Sequence, residues 1–232
     1  MTELNQIPAC SKPLLPLVVG SLTITCEDNM ALMARYPDNY FDLAIVDPPY
    51  GIKTFENIKE TTNKVEKRFK SGIWNSNVPD QKYFDELMRV SKNQIVWGGN
   101  YFNLPPSRCF IFWDKMVSVD NFADGELAWT SFDRLTKKYQ YAWGGLSDGI
   151  VGRNKKEKSI HPTQKPTNLY KYCLENYAKQ GDKILDTHLG SGSIAIACYD
   201  YKYNLTACEL DIEYFEKAKE RIINHAAQQT LF

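Results

Sequence analysis

The apolar positions change their period along the chain, and the changes outline alternating strands and helices. Leu22 to Thr25 is a short strand-like run, and Asp28 to Arg35 follows with apolar residues at helical spacing until Pro37 stops it. Phe41 to Val46 (FDLAIV) is continuously apolar with β-branched content, the pattern of a strand buried on both faces. Gln81 to Val90 gathers Phe84, Leu87 and Met88 on one helical face. Gln94 to Trp97 and Cys109 to Trp113 read as strands, separated by Gly98-Gly99 and Pro105-Pro106 turns. After Pro166 the pattern sharpens: a helix from Thr167 to Lys179 ended by Gly181, a strand Lys183 to Asp186, a helix Ser193 to Tyr201, a strand Leu205 to Glu209, and an amphipathic helix Ile212 to Ala227. This alternation predicts an α/β fold with a mostly parallel sheet and helices on both faces.

Three stretches resist that reading. Residues 1–21 are Pro-rich and weakly patterned and are expected to form an N-terminal arm. Residues 53–80 lose apolar density and read as a long surface loop, which in a compact domain usually has a function. Residues 114–160 are aromatic, rich in turns, and give no assignable period.

Composition then bounds the answer. A chain of 232 residues, 43% hydrophobic, suits a single domain over 1–232 with a proper core and excludes wholesale disorder. No apolar run approaches the roughly 20 residues that span a bilayer. The first residues lack the basic and apolar regions of a signal peptide. Six scattered cysteines without a C-x-x-C pair and three distant histidines predict buried thiols, no metal site and a reducing, cytoplasmic setting. Lys+Arg 28 against Asp+Glu 28 argues against a protein that holds nucleic acid by bulk charge.

Two motifs carry the chemistry. Lys183-Ile-Leu-Asp-Thr-His-Leu-Gly-Ser-Gly-Ser193 is a strand running into a glycine turn at a helix start. Gly190 and Gly192 allow a sharp turn and close backbone approach to a ligand. Glu209, at the end of the next strand, is placed to accept hydrogen bonds from ribose hydroxyls. Gly190-x-Gly192-x-x-Ala195 also satisfies the loose dinucleotide fingerprint, which leaves an oxidoreductase open. Asp186 tips the balance, because an acid aimed into the loop repels a pyrophosphate and attracts a cation such as S-adenosylmethionine, which bears a sulfonium and an α-ammonium group.

Asp47-Pro48-Pro49-Tyr50 follows a buried strand directly, and two consecutive prolines stiffen the turn. It would fix a carboxylate, a carbonyl and an aromatic ring relative to one another. Methylation of a base's exocyclic amine needs that set. The amine's lone pair is delocalised into the ring, two acceptors on its N–H bonds can aim it, and an aromatic face can stack on a flipped-out base.

With these residues in view the chain resembles the amino-group DNA methyltransferases. D-P-P-Y-G at 47–51, H-P-T-Q-K-P at 161–166 and D-T-H-L-G-S-G-S at 186–193 look like that family's motif set, in an order similar to the β-type arrangement, from about residue 22 to the C-terminus. The resemblance implies a Rossmann-like S-adenosylmethionine-dependent methyltransferase fold with a seven-stranded sheet and permuted motif order. The strands ending at Asp47 and Asp186 would then be neighbours at the topological switch point. It implies that Asp47 and the Pro48 carbonyl hold the target amine, with Pro49 in the same rigid turn and Tyr50 on the base. Asp186, Gly190, Ser191 and Gly192 would face the methionine part of the cofactor, Glu209 its ribose, and Asp28 with Asn29 its adenine. Thr163 and Lys165 would cap its carboxylate end. The family usually has Pro-Phe after the acid, whereas this chain has Thr187-His188, so His188 is expected to pack against the cofactor.

D-P-P-Y favours adenine N6 over cytosine N4 by resemblance. The alternatives are cytosine-N4 methylation, a catalytically silent DNA-binding module, and a dinucleotide-dependent oxidoreductase. Charge is uneven: residues 53–70 hold six basic and three acidic side chains, and 153–158 hold four and one. Lys64, Lys67, Arg68 and Lys70, with Arg153, Lys155 and Lys156, are therefore candidate contacts to double-stranded DNA. Base recognition is expected within 114–160, where Trp129, Phe132, Asp133, Arg134, Tyr139, Tyr141 and Trp143 could form a reading surface or a small core. The last five residues, 228–232, resemble the Q-x-x-L-F peptide that docks on bacterial sliding clamps, implying a contact through Gln228, Leu231 and Phe232. A homodimer is a further expectation.

Overall fold

In a computed structural model the described residues are 15–51, 78–116, 118, 123–142, 160, 161 and 163–229. Their strands are β1 (Leu17–Val19), β2 (Leu22–Cys26), β3 (Leu43–Val46), β4 (Gln94–Trp97), β5 (Phe110–Asp114), β6 (Gly125–Thr130), β7 (Lys137–Gln140), β8 (Lys183–Asp186) and β9 (Asn204–Glu209). The helices are α1 (Asn29–Met33), α2 (Gln81–Val90), α3 (Thr167–Tyr177), α4 (Ser193–Tyr201) and α5 (Ile212–Gln229), with a 3-10 turn at Gly99–Tyr101.

The strands form one sheet in the order β1-β2-β9-β8-β3-β4-β6-β5-β7. From β2 to β4 every pairing is parallel, while β1, β6 and β5 join antiparallel and β7 lies parallel to β5. The α/β reading holds, and among the described residues the sheet has nine strands, against the seven that the resemblance implies. Beyond the six strands read from the apolar pattern, the structure adds β1, within the expected arm, and β6 and β7, within 114–160. β7 (KKYQ) is short, polar and exposed, so hydrophobic pattern could not reveal it.

The two-residue period of β3 explains both layers. Leu43 and Ile45 point into a core shared with α3, α4 and α5, whose contributions include Leu169, Ile194 and Phe215. Ala44 and Val46 point the other way, against Leu32 of α1 and Phe84 and Leu87 of α2. All four residues of β3 are buried, as expected for a central strand covered on both sides.

β3 pairs with β8 through Leu43↔Ile184 and Ala44↔Leu185. On one side of this pair the sheet continues to β9 and β2, on the other to β4. The order therefore reverses between β3 and β8, and both proline and glycine turns leave from their carboxyl ends. An open α/β sheet leaves its crevice at such a point. No described helix is long and apolar enough to cross a membrane.

Candidate active site

Asp47 leaves β3 with its side chain 17% exposed. Two donors converge on its Oδ1: the Tyr50 hydroxyl at 2.5 Å and Lys165 Nζ at 2.6 Å. Lys165 also donates to the Tyr50 hydroxyl at 2.9 Å. This lysine stands just before α3, whose N-cap is Pro166, and its side chain is only 4% exposed. Its third neighbour is Glu126 of β6, with Oε2 at 3.1 Å, while Lys115 holds Glu126 Oε1 at 2.7 Å. Two acids and two cations thus alternate across the crevice.

Charge balance sets the titration of each group. Burial pushes the Asp47 carboxyl up; Lys165 pulls it down, and Glu126 adds to the rise. Burial also raises Glu126, but Lys165 and Lys115 outweigh it and hold that carboxyl at about 2. Burial lowers Lys165, yet attraction from both carboxylates leaves it above the ordinary lysine value. Both partners shift upward because burial dominates at Asp47, with repulsion from Glu126 behind it, whereas at Lys165 the attraction of two anions outweighs burial.

The Tyr50 ring fits because residue 98 is glycine. A Cβ there would lie 2.2 Å from Tyr50 Cε1, and Gly98 adopts φ +65, a left-handed conformation that favours glycine. The Tyr50 ring is also stacked on Tyr101, with centroids 5.3 Å apart and planes at 20°. Tyr101 itself is 53% exposed, so this aromatic pair opens to solvent.

On the β8 side Asp186 is buried and accepts the His188 amide at 3.0 Å. Burial pushes its carboxyl up to about 8; the His188 hydrogen bond opposes this, and the charges of Asp47 and Glu209 add to it. Gly190 and Gly192 both have positive φ, +54 and +75, which lets the backbone reverse before α4. Gly190 N–H donates to Glu209 Oε2 at 2.8 Å, and the Asp211 amide donates to Oε1 at 2.9 Å. Burial raises the Glu209 carboxyl against these two bonds. The turn is also tied to the lysine segment, since Ser193 Oγ donates to the Lys165 carbonyl at 2.7 Å and Arg221 of α5 donates to the Ser191 carbonyl at 2.8 Å.

Asp28 caps α1, accepting the amides of Met30 and Ala31 at 2.9 and 3.1 Å. Asn29 Nδ2 lies 3.2 Å from His188 Nε2. The other ring nitrogen of His188 meets Thr187 Oγ1 at 3.0 Å, and Tyr83 of α2 bonds Thr187 at 2.7 Å. Burial lowers His188 to about 3, so the ring is neutral near pH 7. Thr163 is exposed, and its amide donates to His161 Nδ1 at 3.3 Å.

The structure gathers Asp47, Pro48, Pro49 and Tyr50 with Lys165 on one side, and Asp186, His188, Gly190, Ser191, Gly192, Glu209 and Asn29 on the other. Lys165, expected near a cofactor's carboxylate end, is placed with its ammonium on Asp47 and beside Glu126. Glu126, Lys115, Tyr83, Gly98 and Tyr101 were not singled out by the sequence. Glu126 lies in unpatterned chain, whereas Gly98 stood in a visible Gly-Gly turn. Within 114–160 Trp129 is core and bonds the Pro105 carbonyl, while Phe132 and Tyr139 pack on Tyr177 and Tyr172. Lys64, Lys67, Arg68, Lys70, Trp143, Arg153, Lys155, Lys156, Leu231 and Phe232 lie outside the described residues, and Gln228 is exposed near the end of α5.

The open α/β fold is shared with solved DNA methyltransferases. The M1.HpyAVI–SAM complex aligns over 86% of this chain and 99% of its own, with TM-score 0.53 and 18% identity. The PvuII DNA methyltransferase, described as cytosine-N4-specific, aligns over 95% of both chains with TM-score 0.55 and 12% identity. Residues 55–220 match the DNA methylase family model N6_N4_Mtase, and the chain belongs to that family. Among its relatives are the type II methyltransferases M.BglII of Bacillus subtilis and M2.MboI of Moraxella bovis. Each is 25% identical over 82% of this chain, covering 66% of the first relative and 83% of the second. The chain thus spans just under two thirds of the M.BglII length.

Proposed function

We propose that the chain is a site-specific DNA methyltransferase that uses S-adenosylmethionine to methylate the exocyclic N6 of adenine. The observation that carries this reading is the meeting of Asp47 and Tyr50 with the Asp186 and Glu209 turn on adjacent parallel strands. Family membership and the type II relatives support it, and favour it over a dinucleotide-dependent oxidoreductase.

The donor set suits that cofactor. A buried carboxyl pushed up to about 8 is an anion site short of positive charge, and a sulfonium or ammonium group supplies it. Asp186 with Gly190, Ser191 and Gly192 would hold the methionine part, Glu209 the ribose, and Asp28, Asn29 and His188 the adenine end, with Thr163 at the rim. S-adenosylmethionine supplies, when bound, an electrophilic methyl group.

The chain's residues do the rest. Asp47 and the Pro48 carbonyl accept the two N–H bonds of the target amine and direct its lone pair, while Tyr50 stacks on the base. Forming the N–C bond makes the nitrogen shed one proton, and the Asp47 carboxylate is positioned to accept it. Positioning in a dry, charge-balanced crevice accounts for most of the acceleration. The basic residues Lys64, Lys67, Arg68, Lys70, Arg153, Lys155 and Lys156 would contact DNA phosphates in the cytoplasm. The sliding-clamp contact and the homodimer have no support from the relatives or the described residues.

Transfer of radiolabelled methyl to DNA, followed by nucleoside analysis, tests this. Labelled N6-methyladenine supports it; labelled N4-methylcytosine, the product implied by the name of the PvuII enzyme, replaces adenine as the target. Asp47→Ala should abolish transfer while cofactor binding survives, and near-normal turnover in that variant would refute the assignment.

A further inference from the structure

The hydrogen bonds to Asp47 leave its two oxygens unequal. The Tyr50 hydroxyl and Lys165 Nζ both fall on Oδ1, and Oδ2 accepts none from the described residues. Glu126 is the mirror case. Its Oε1 is held by Lys115, while the buried Oε2 is ion-paired with Lys165 Nζ at 3.1 Å and, among the described residues, lacks a well-aligned hydrogen bond. A buried carboxylate oxygen without a hydrogen bond is costly and needs an explanation. The Lys165 ammonium has three protons and stands between the two carboxylates.

We infer that Glu126 is a positioning residue for the methyl-transfer site: its Oε2, already 3.1 Å from Lys165 Nζ, takes over the ammonium when the target amine takes its place on Asp47. This rests on Asp47 being the amine's acceptor, as proposed above. In the free protein Lys165 holds Asp47 in position through Oδ1. When the amine docks, Lys165 turns one N–H toward Glu126 Oε2, and Asp47 is released to bind the amine and take its proton. Lys115 keeps Glu126 in place throughout. No net charge crosses the site, since the cation moves between two anions.

The charged and titratable groups around Asp47 are Tyr50 in its own turn, Glu126 from β6, Lys165 ahead of α3, Tyr170 of α3 and Asp186 of β8. Of these, Glu126 is the anion whose removal both leaves Asp47 as Lys165's remaining carboxylate and takes a repelling charge away from Asp47.

The test is methyl transfer to DNA by the full chain, with kcat, KM and pH profile for Glu126→Gln, Lys165→Met and the double variant. Calorimetry with S-adenosylmethionine serves as the check on folding. Glu126→Gln should lower plateau kcat at least tenfold with KM values within about threefold. Its acid limb should move to lower pH, because Asp47 loses a repelling neighbour and gains more of Lys165. In the Lys165→Met background the same change should cost less than twofold, since Glu126 acts through that lysine. If Glu126→Gln does not fold, Glu126→Asp takes its place and should recover folding with a kcat between the two. Equal losses in both backgrounds, or an acid limb that stays put, overturn the inference. Asp47→Ala run alongside separates the two readings: if it retains turnover, the proposed function fails; if it is dead while the double variant is additive, only the role of Glu126 fails.

Discussion

A cation that settles beside Asp186 must find, or create, an ionised carboxylate there. Burial pushes this group up to about 8, so at pH 6 only about one molecule in a hundred carries the charge, against about half at pH 8. A ligand that requires the ionised form should therefore bind about 50-fold more weakly at pH 6 than at pH 8, about 2 kcal/mol. Below pH 7 each binding event should release close to one proton. Without ligand the sign is reversed for folding. The folded pKa lies above the unfolded value, so this group's contribution to stability is full below about pH 4 and is lost as pH rises toward 8. Titration calorimetry with S-adenosylmethionine at pH 6, 7 and 8, in two buffers of different ionisation heat, measures both affinity and proton count. The range ends at pH 8 because the ligand's own α-amino group titrates at about 7.7–8.0. Asp186→Asn should bind weakly with a flat profile. A wild-type Kd that is constant from pH 6 to 8, with no proton released, would show that Asp186 does not meet the positive charge.

Gly98→Ala should displace the Tyr50 ring, because the new Cβ would stand 2.2 Å from it. Losing a stacking platform costs about 1–3 kcal/mol per base, so turnover on DNA should fall about 5- to 150-fold with cofactor affinity preserved. A variant within twofold of the parent would mean that this ring does not support the base. Asp200 accepts from Lys171 at 2.5 Å and from His225 at 2.6 Å, joining α3, α4 and α5. Burial raises its carboxyl, but those two partners outweigh it and hold the carboxyl below the ordinary value. Its contribution is therefore full above about pH 4 and fades as pH falls further. Asp200→Asn should cost about 2 kcal/mol at pH 7 by denaturant unfolding, and the gap should narrow toward pH 3. Ile45→Ala, at a fully buried position of β3, should cost about 2–5 kcal/mol in the same assay.

The parallel half of the sheet was legible because strands buried on both faces are continuous apolar runs. Gln94–Trp97 and Lys183–Asp186 lie where the pattern places them, and Leu43–Val46 falls within the run expected from Phe41 to Val46. Helix ends were less legible. α3 closes at Tyr177 rather than Lys179, and α1 is a five-residue helix rather than the longer run to Arg35, because end residues contribute little to the apolar face. Two strands beyond β4 were hidden for a different reason. β6 and β7 owe their place to pairing with β4 and β5, and their residues carry little period of their own. The site divided in the same way. Asp47, Tyr50, Asp186 and the glycines stand in turns whose residue types announce them. Glu126 is a lone acid whose meaning comes only from its position 3.1 Å from Lys165. Lys165 itself was visible, but its partner was not, since nothing in the sequence says which carboxylate a buried lysine will reach.

The polar strand that ends the sheet has a consequence beyond the site. Among the described residues β7 is the last strand of the sheet, and alternation sends Lys137 and Lys138 to opposite faces, both exposed. A second such edge arriving to extend the ladder would have to bring lysine against lysine on each face and strip water from both. Lys138 also holds Asp114 of the neighbouring strand at 2.8 Å, so its charge is anchored beside the edge. Growth of the sheet from molecule to molecule is thereby opposed where the backbone would most readily permit it. The same lysines that blurred the strand's sequence signature thus disfavour edge-to-edge assembly of the protein.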